Sequence, residues 1–182
     1  MSPLGINIGK NKATANEQAH EDYLTCFKLL APLADYVVVN ISSPNTTGLR
    51  ALQDRAPLVT LLSTIAQENR SVAGGPVPLL LKIAPDLNPN QLADIVSVVG
   101  ECGFAGIIAT NTTITRPAGT EACSPGRGGL SGAPLLERSL QVVRFLAKEA
   151  DGRIPIVGCG GILSAKDAGR FMDEGACLVQ VY

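Results

Sequence analysis

Short apolar runs that alternate with stretches of helical length constrain the fold of this chain most strongly. The runs are rich in β-branched residues and occupy residues 5–8, 35–40, 78–83, 106–110, 154–158 and 176–182. Apolar residues within them are continuous rather than alternating, which is typical of strands covered on both faces. The sequence therefore predicts six buried strands.

The intervening segments have the periodicity and the end signals of helices. The predicted helices cover residues 16–30, 57–68, 88–103, 135–150 and 165–174. Asn88 and Pro89 open the third helix, Gly103 closes it, and Ser164 caps the fifth. A strand followed by a helix, repeated along the chain, predicts a parallel sheet with right-handed crossovers.

Two parallel α/β architectures compete for this pattern. A doubly wound sheet carries a glycine-rich turn of the GxGxxG type after its first strand, and the segment from Gly5 to Gly9 lacks that spacing. Polar, turn-forming residues instead follow nearly every predicted strand. This is typical of a (β/α) barrel, whose active site lies at the carboxyl ends of the strands. The sequence thus predicts the α/β class and the (β/α)8 TIM-barrel family.

The length of the chain fits an incomplete barrel. The chain has 182 residues, whereas a full barrel usually takes about 250. About six of the eight strands are accounted for, and the sequence stops inside an apolar run. We therefore expect that two β/α units are missing and that the chain is a fragment or a truncated product.

Composition excludes several classes of function. The formal net charge of −1 and the scattered basic residues give no field that would attract nucleic acid. No apolar stretch approaches the roughly 20 residues that span a bilayer. The five cysteines lack CxxC spacing and are expected to be reduced and mostly buried, and the chain has one histidine. Neither a metal site nor histidine-based catalysis is predicted.

Two polar clusters at strand ends form the first candidate site. One is the segment Asn40-Ile41-Ser42-Ser43-Pro44-Asn45-Thr46, and the other is Thr110-Asn111-Thr112-Thr113. The first alone could equally be a simple turn, because Ser, Pro and Asn are turn formers. Together the clusters would ring a pocket with neutral donors and acceptors, which suits a small planar substrate with amide and carboxylate groups.

Lys82 and two glycine-rich segments form the second candidate site. Lys82 near the end of its strand either extends to the rim or faces inward, where it needs an anionic counter-charge such as a cofactor. The segments Gly128-Gly129-Leu130-Ser131-Gly132 and Gly158-Cys159-Gly160-Gly161 offer unobstructed N–H groups, as phosphate sites late in a barrel do. Tight turns also need glycine, so both interpretations stay open.

These motifs, taken in order, resemble those of class 2 dihydroorotate dehydrogenase, in the C-terminal part of its barrel. The resemblance covers essentially the whole chain and includes Gly5 to Asn11, Gly48-Leu49-Arg50 and Lys82 to Asp86. Class 1 members carry Cys at the position of Ser43, so a serine there implies class 2. The segment Arg116-Pro117-Ala118-Gly119 further resembles the animal forms.

The resemblance implies an FMN enzyme that oxidises dihydroorotate to orotate in pyrimidine (UMP) biosynthesis and passes the electrons to ubiquinone. Ser43 would remove a proton from substrate C5 while hydride leaves C6 for flavin N5, with Thr46 as a candidate relay. Lys82 would stabilise the negative charge that develops on the flavin. The implied substrate contacts are Asn40, Asn45, Asn111 and Thr112. The implied FMN contacts are Asn7, Lys82, Thr110, Ser131, Gly132, Gly160, Gly161 and Tyr182.

Parts of the family's pattern have no counterpart in the chain. These are the first two barrel strands and the N-terminal helices that form the quinone tunnel and rest on the membrane. By resemblance, the full-length parent belongs at the mitochondrial inner membrane. Residues 1–182 are expected to form a soluble, partial FMN-binding barrel with unpaired edges at its first and last strands. We expect this piece to bind FMN weakly and to be inactive.

Two other functions stay open at this point. One is another FMN barrel that oxidises dihydropyrimidines or dihydrouridine; it shares the late glycine turn but typically uses Cys as an acid in the loop of Ser43. The other is a catalytically inactive isoform that acts only by association.

Overall fold

Strands and helices alternate along the whole chain in the computed structural model, which describes residues 2–116, 118–120 and 128–181. The strands are β1 Gly5–Ile8, β2 Tyr36–Asn40, β3 Leu79–Ile83, β4 Gly106–Ala109, β5 Ile156–Cys159 and β6 Leu178–Gln180. The α-helices are α1 Ala19–Leu30, α2 Arg55–Asn69, α3 Pro89–Glu101, α4 Leu136–Ala150 and α5 Ala165–Asp173. Every predicted element is present.

The six strands pair in parallel and in the order of the sequence, from β1 to β6. Each β/α unit therefore adds one strand beside the previous one, which is how a barrel is built. Within the described residues β1 and β6 each have a single neighbour, so the sheet is an incomplete (β/α) barrel with two open edges. The predicted fold class and the predicted edges are confirmed.

Four element starts differ from the prediction by two residues or more. Helix α1 begins at Ala19, after a 3₁₀ turn at Asn16–Gln18, and β6 begins at Leu178. Proline accounts for the other two. Strand β5 begins at Ile156 rather than at residue 154, because Pro155 has no N–H to donate to the ladder. Helix α2 begins at Arg55, two residues before Pro57. Pro57 is tolerated in the first turn because the N–H groups there have no partner within the helix.

The predicted helix caps are confirmed. Asn88 Oδ1 accepts from the Gln91 N–H at 3.0 Å, and Gln91 Oε1 accepts from the Asn88 N–H at 3.1 Å, which forms a capping box at α3. Ser164 Oγ accepts from the Asp167 N–H at 3.2 Å at the start of α5. Both helices therefore start at residues that the sequence alone defines.

The core lies between the outer face of the sheet and the helices. Val37, Val39 and Leu81 belong to this large cluster, whereas their neighbours Val38 and Leu80 belong to a small cluster on the inner face. Side chains alternate along a strand, so Asn40 and Lys82 also face inward, and they are paired in register. This alternation brings polar residues to the inner face at the carboxyl ends of the strands.

The cysteines correct one expectation. Cys159 is buried, but Cys26 and Cys102 are half-buried and Cys177 is exposed, so the expectation of mostly buried thiols is wrong. Cys177 is exposed because it directly precedes the edge strand β6. Cys123 lies outside the described residues. No helix in the described part of the chain is both long and apolar enough to cross a membrane.

Candidate active site

A cavity of about 570 Å³ opens at the carboxyl ends of the strands. Its volume lies in the range of small-molecule and cofactor sites. Most of the predicted site residues line it: Asn7, Asn40, Ser43, Lys82, Thr110, Asn111, Thr112, Ser131, Gly132, Gly160 and Gly161. The structure thus brings together side chains from separate strand ends, as the barrel prediction requires.

Two of the predicted residues that the structure describes, Asn45 and Thr46, are not among those that line the cavity. Asn45 is exposed, and its backbone N–H donates to Ser43 Oγ at 3.3 Å. Thr46 is half-buried, and its carbonyl accepts from the Leu49 N–H. Tyr182 lies outside the described residues. The substrate contact of Asn45, the relay role of Thr46 and the FMN contact of Tyr182 stay predictions.

Ser42, which sequence reasoning did not single out, connects the two polar clusters. It is fully buried, and its hydroxyl donates to Asn40 Oδ1 at 2.8 Å and accepts from Asn111 Nδ2 at 3.0 Å. Asn40 Oδ1 also accepts from the Ser42 N–H at 3.1 Å and from Asn111 Nδ2 at 3.4 Å. The Asn40 oxygen thus accepts three hydrogen bonds, whereas its Nδ2 group donates none to the residues that the structure describes.

Asn111 is engaged on both sides of its amide. Its Nδ2 donates to Asn40 and Ser42 as above, and its Oδ1 accepts from the Thr112 N–H at 2.8 Å. Thr110 is buried, and its hydroxyl lies 3.0 Å from Ser139 Oγ on α4. The Ala109–Thr110 peptide bond is cis. These contacts fix the backbone that forms one wall of the cavity.

Asn40 is also held from outside the cavity. The Tyr23 hydroxyl donates to the Asn40 carbonyl at 2.7 Å, and Tyr23 is fully buried in the core. Burial raises the pKa of Tyr23 above its usual value. The hydroxyl therefore keeps its proton and remains a donor to this carbonyl.

Among the described residues that line the cavity, Lys82 is the one with a charged side chain. Its ammonium group donates to Gln180 Oε1 at 3.3 Å and, within the described residues, forms no ion pair. Burial raises the pKa of the neighbouring Cys159 thiol, and the charge of Lys82 opposes that rise. Lys82 therefore faces inward rather than extending to the rim, and it lacks a carboxylate partner in the part of the chain that is described.

The two glycine-rich segments present N–H groups that suit an anion, Gly132 from the first segment and Gly160 and Gly161 from the second. The N–H groups of Gly132, Gly160 and Gly161 donate no hydrogen bond among the described residues. Gly161 has φ +80°, and a Cβ there would lie 2.7 Å from backbone atoms of Leu136 at the start of α4. Only glycine fits this position, where unpaired N–H groups and a helix N-terminus favour negative charge.

The segment Gly128-Gly129-Leu130-Ser131-Gly132 lies against the polar cluster of residues 110–113. Leu130 and Thr113 pair in a short antiparallel bridge with N···O distances of 3.0 and 2.7 Å. A Cβ on Gly129 would lie 1.8 Å from Thr112 Oγ1. A glycine is therefore needed for the segment to pack this closely on the loop after β4.

Six further residues line the cavity: Leu135, Cys159, Ile162, Leu163, Gln180 and Val181. Cys159 and Gln180 are paired in register on β5 and β6. Alternation from Val157 could have placed Cys159 on the inner face, because residues two apart on a strand share a face. Leu135, Ile162, Leu163 and Val181 are apolar, so no polar signal in the sequence marks them as lining residues.

Comparisons with known proteins give the family. The model of the family described as "Dihydroorotate dehydrogenase" matches residues 1–182. The chain belongs to the dihydroorotate dehydrogenase family. It is 53% identical over 184 residues to a "Dihydroorotate dehydrogenase (quinone)" of Anaeromyxobacter sp. strain Fw109-5, with 100% of this chain and 50% of that protein covered. The relative of that name from Christiangramia forsetii is 51% identical over 179 residues, covering 98% and 52%.

Comparison with solved structures supports the same family. The crystal structure of Eimeria tenella DHODH in complex with ferulenol superposes with a TM-score of 0.91 at 38% identity, covering 99% of this chain and 52% of that one. The class 2 assignment made from Ser43 is confirmed by the quinone-linked relatives. The chain spans about half the length of the curated relatives that it matches. The resemblance of Arg116 to Gly119 to animal forms stays a prediction, and Pro117 lies outside the described residues.

The carboxylate of Asp86, just outside the cavity, makes stability depend on pH. Burial acts to raise its pKa, but hydrogen bonds from Thr113, the Ile114 N–H and Arg50 together lower it below its usual value. A folded-state pKa below the unfolded value of about 3.9 stabilises the protein above that pH. This stabilisation is lost as the pH falls through the folded pKa.

We expect Asp86→Asn to lower the free energy of unfolding at pH 7, with a smaller difference from the unsubstituted chain at pH 3. Urea denaturation followed by circular dichroism at both pH values measures this. Asp173→Asn is the control, because Asp173 is exposed and forms no ion pair in the described part of the chain. A deficit in Asp86→Asn that is equal at the two pH values would contradict the expectation.

Proposed function

We propose that the protein to which this chain belongs oxidises dihydroorotate to orotate on FMN and passes the electrons to a quinone, in pyrimidine (UMP) biosynthesis. One observation carries the proposal: the Ser43 hydroxyl, the Asn40 amide, the Lys82 ammonium and the glycine N–H groups all line one cavity. A proton acceptor, substrate donors and an anion site are the parts that this reaction needs.

The residues present fit FMN. The unpaired N–H groups of Gly132, Gly160 and Gly161 would hold its phosphate. The Lys82 ammonium would lie near the flavin ring, with Asn7 and Thr110 also in the lining. Bound FMN would supply the hydride acceptor for the reaction. Residues 1–182 would then form the larger part of an FMN-binding barrel.

The chain's own residues would position the substrate and accept its proton. Asn40 Nδ2 is a donor for a substrate carbonyl or carboxylate oxygen, because its Oδ1 is already engaged. Ser43 Oγ accepts the Asn45 N–H at 3.3 Å, which orients the hydroxyl at the cavity. A serine hydroxyl is a weak base, so it must pass its proton on; Thr46, three residues later, is the proposed relay.

The electron acceptor is proposed from the names of the relatives, and the compartment from the resemblance alone. The quinone in the names of the relatives supports ubiquinone or a related quinone as the acceptor. The mitochondrial inner membrane stays a prediction that depends on the animal-like segment. The membrane-contacting part of the family lies outside residues 1–182.

Two alternatives remain. Another FMN barrel that acts on dihydropyrimidines would use a cysteine in the loop of Ser43, and no cysteine occurs between residues 40 and 50. An inactive chain that acts only by association would bind no flavin. The open edges at β1 and β6 are the one feature that favours association.

The isolated chain tests the partial-barrel proposal. We expect it to bind FMN weakly and to show no dihydroorotate-driven dye reduction, because the cavity lacks walls beyond β1 and β6. Gel filtration with absorbance at flavin wavelengths, followed by a dye-reduction assay, measures both. Stoichiometric flavin together with dye reduction would refute this expectation.

Testing Ser43 as the catalytic base requires a closed barrel. We define the hybrid protein as the Anaeromyxobacter relative in which residues 1–182 of this chain replace the matching half. In it, Ser43→Ala should slow anaerobic flavin reduction by dihydroorotate at least about 100-fold, since general bases contribute about 10²–10⁴. Ser63→Ala on the exposed face of α2 is the matched control. Flavin reduction at an unaltered rate in Ser43→Ala would exclude the assignment.

Two Gly→Ala variants, one at the proposed phosphate site and one away from it, test where the FMN phosphate binds. In the hybrid protein Gly161→Ala should weaken FMN binding at least about tenfold, because its Cβ would collide with Leu136 and displace the N–H groups. Gly169→Ala on α5 has open space around its Cβ and should bind FMN normally. Equilibrium titration of the apoprotein with FMN, followed by fluorescence, gives both constants. Equal affinities in the two variants would place the phosphate elsewhere.

A further inference from the structure

One guanidinium group joins two of the loops that line the cavity. Arg50 lies in the 3₁₀ turn Leu49–Gln53, after the Ser43 loop. Its Nε donates to the Ser42 carbonyl at 3.0 Å, and one terminal nitrogen donates to the Thr112 carbonyl at 2.8 Å. The loops after β2 and β4 are thereby bonded to the same planar group.

A third loop orients this group. The other terminal nitrogen of Arg50 lies 2.5 Å from Asp86 Oδ2 in the loop after β3. Asp86 also accepts from the Thr113 hydroxyl, from the Ile114 N–H at 3.2 Å and from Thr115 Oγ1 at 3.1 Å. The carboxylate therefore holds the guanidinium and the loop after β4 together.

The Asp86 loop is itself anchored to a helix. Arg138 of α4 donates to the carbonyls on either side of Asp86, to Pro85 at 2.8 Å and to Leu87 at 2.7 Å. Gln53 adds a second link, because its Oε1 accepts from the Ala84 N–H at 2.9 Å and its Nε2 donates to the Arg50 carbonyl. Arg50 is thus placed against a fixed support rather than against a free loop.

Arg50 is not among the residues that line the cavity, so it acts through the backbone that it bonds. The Ser42 carbonyl belongs to the same peptide unit as the Ser43 nitrogen. A donor fixed on that carbonyl therefore sets the plane from which the Ser43 side chain projects. The Thr112 carbonyl likewise fixes the loop that carries Asn111.

We propose that Arg50, oriented by Asp86, is a positioning residue that sets the separation between the Ser43 loop and the Asn111–Thr112 loop. The inference rests on the proposed function, in which one loop carries the proton acceptor and the other binds the substrate. Two carbonyls and a carboxylate need donors in a rigid fork, which an arginine supplies and a lysine does not.

Hydrogen exchange on the 182-residue chain tests the positioning without any activity. In Arg50→Gln, backbone amides of residues 41–46 and 111–115 should exchange about tenfold faster, because both loops lose a bond that holds them closed. Strand β3 and helix α4 should exchange as in the unsubstituted chain. Arg55→Gln is the control, since Arg55 pairs with Asp94 and Glu101 on the outer surface. Unchanged loops, or faster exchange throughout the chain, would overturn the proposal.

Kinetics in the hybrid protein test the link to Ser43. Arg50→Lys keeps the positive charge beside Asp86, yet we expect the rate constant of flavin reduction to fall about tenfold, with the FMN content unchanged. In a Ser43→Ala background the same substitution should cost less than about threefold, because two residues that act as one unit are not additive. Additive losses, or an unaffected Arg50→Lys, would overturn the proposal.

The experiments distinguish a wrong proposed function from a wrong positioning role for Arg50. If the unsubstituted hybrid protein does not reduce its flavin with dihydroorotate, the proposed function is wrong, and the exchange experiment still decides whether Arg50 fixes the two loops. If the hybrid protein is active and Arg50→Gln leaves hydrogen exchange in both loops unchanged, only the positioning role is wrong.

Discussion

Parallel pairing in register is the constraint on which the rest of the structure depends. Every strand runs in the same direction beside its sequence neighbour, so all carboxyl ends meet at one edge of the sheet. Alternation then decides which side chain at each end faces inward. Asn40 and Lys82 are register partners on the inner face, and Cys159 and Gln180 are partners further along the sheet. A shift of one residue in any strand would turn these side chains into the helix-facing core.

A buried polar group must find partners, and this requirement shapes the cavity wall. Ser42 is fully buried between the two clusters, and its hydroxyl both donates and accepts. Leaving such a group unpaired would cost about 1–3 kcal/mol. The bonds of Ser42 therefore constrain the amides of Asn40 and Asn111 to one orientation each. The orientation of both amides is therefore set by hydrogen bonds within the protein.

The fold could be read from the sequence because its signals are local. Asn88, Pro89 and Ser164 mark helix starts through contacts with residues three positions away, and strand runs carry their own apolar pattern. Of the site, eleven of the residues that line the cavity were predicted from motif order and resemblance. The supporting contacts were not: Tyr23 with Asn40, Ser42 with Asn111, and Arg50 with Thr112 join residues 17, 69 and 62 positions apart. No periodic pattern in the sequence predicts such pairs, because they form only when the strands are assembled side by side in the sheet.

Electrostatics gives a reason to expect that, under the proposed function, six strands alone would catalyse the reaction less well than a closed barrel. Lys82 has no carboxylate partner in the described residues, and none of the Asp and Glu residues among them lines the cavity. A cation 4 Å from a developing negative charge interacts by about 1 kcal/mol in water and by about 4 kcal/mol at an effective dielectric constant of 20. The difference of about 3 kcal/mol is more than a hundredfold in rate. If further strands close the barrel beside β1 and β6, we expect them to contribute chiefly by excluding solvent around Lys82.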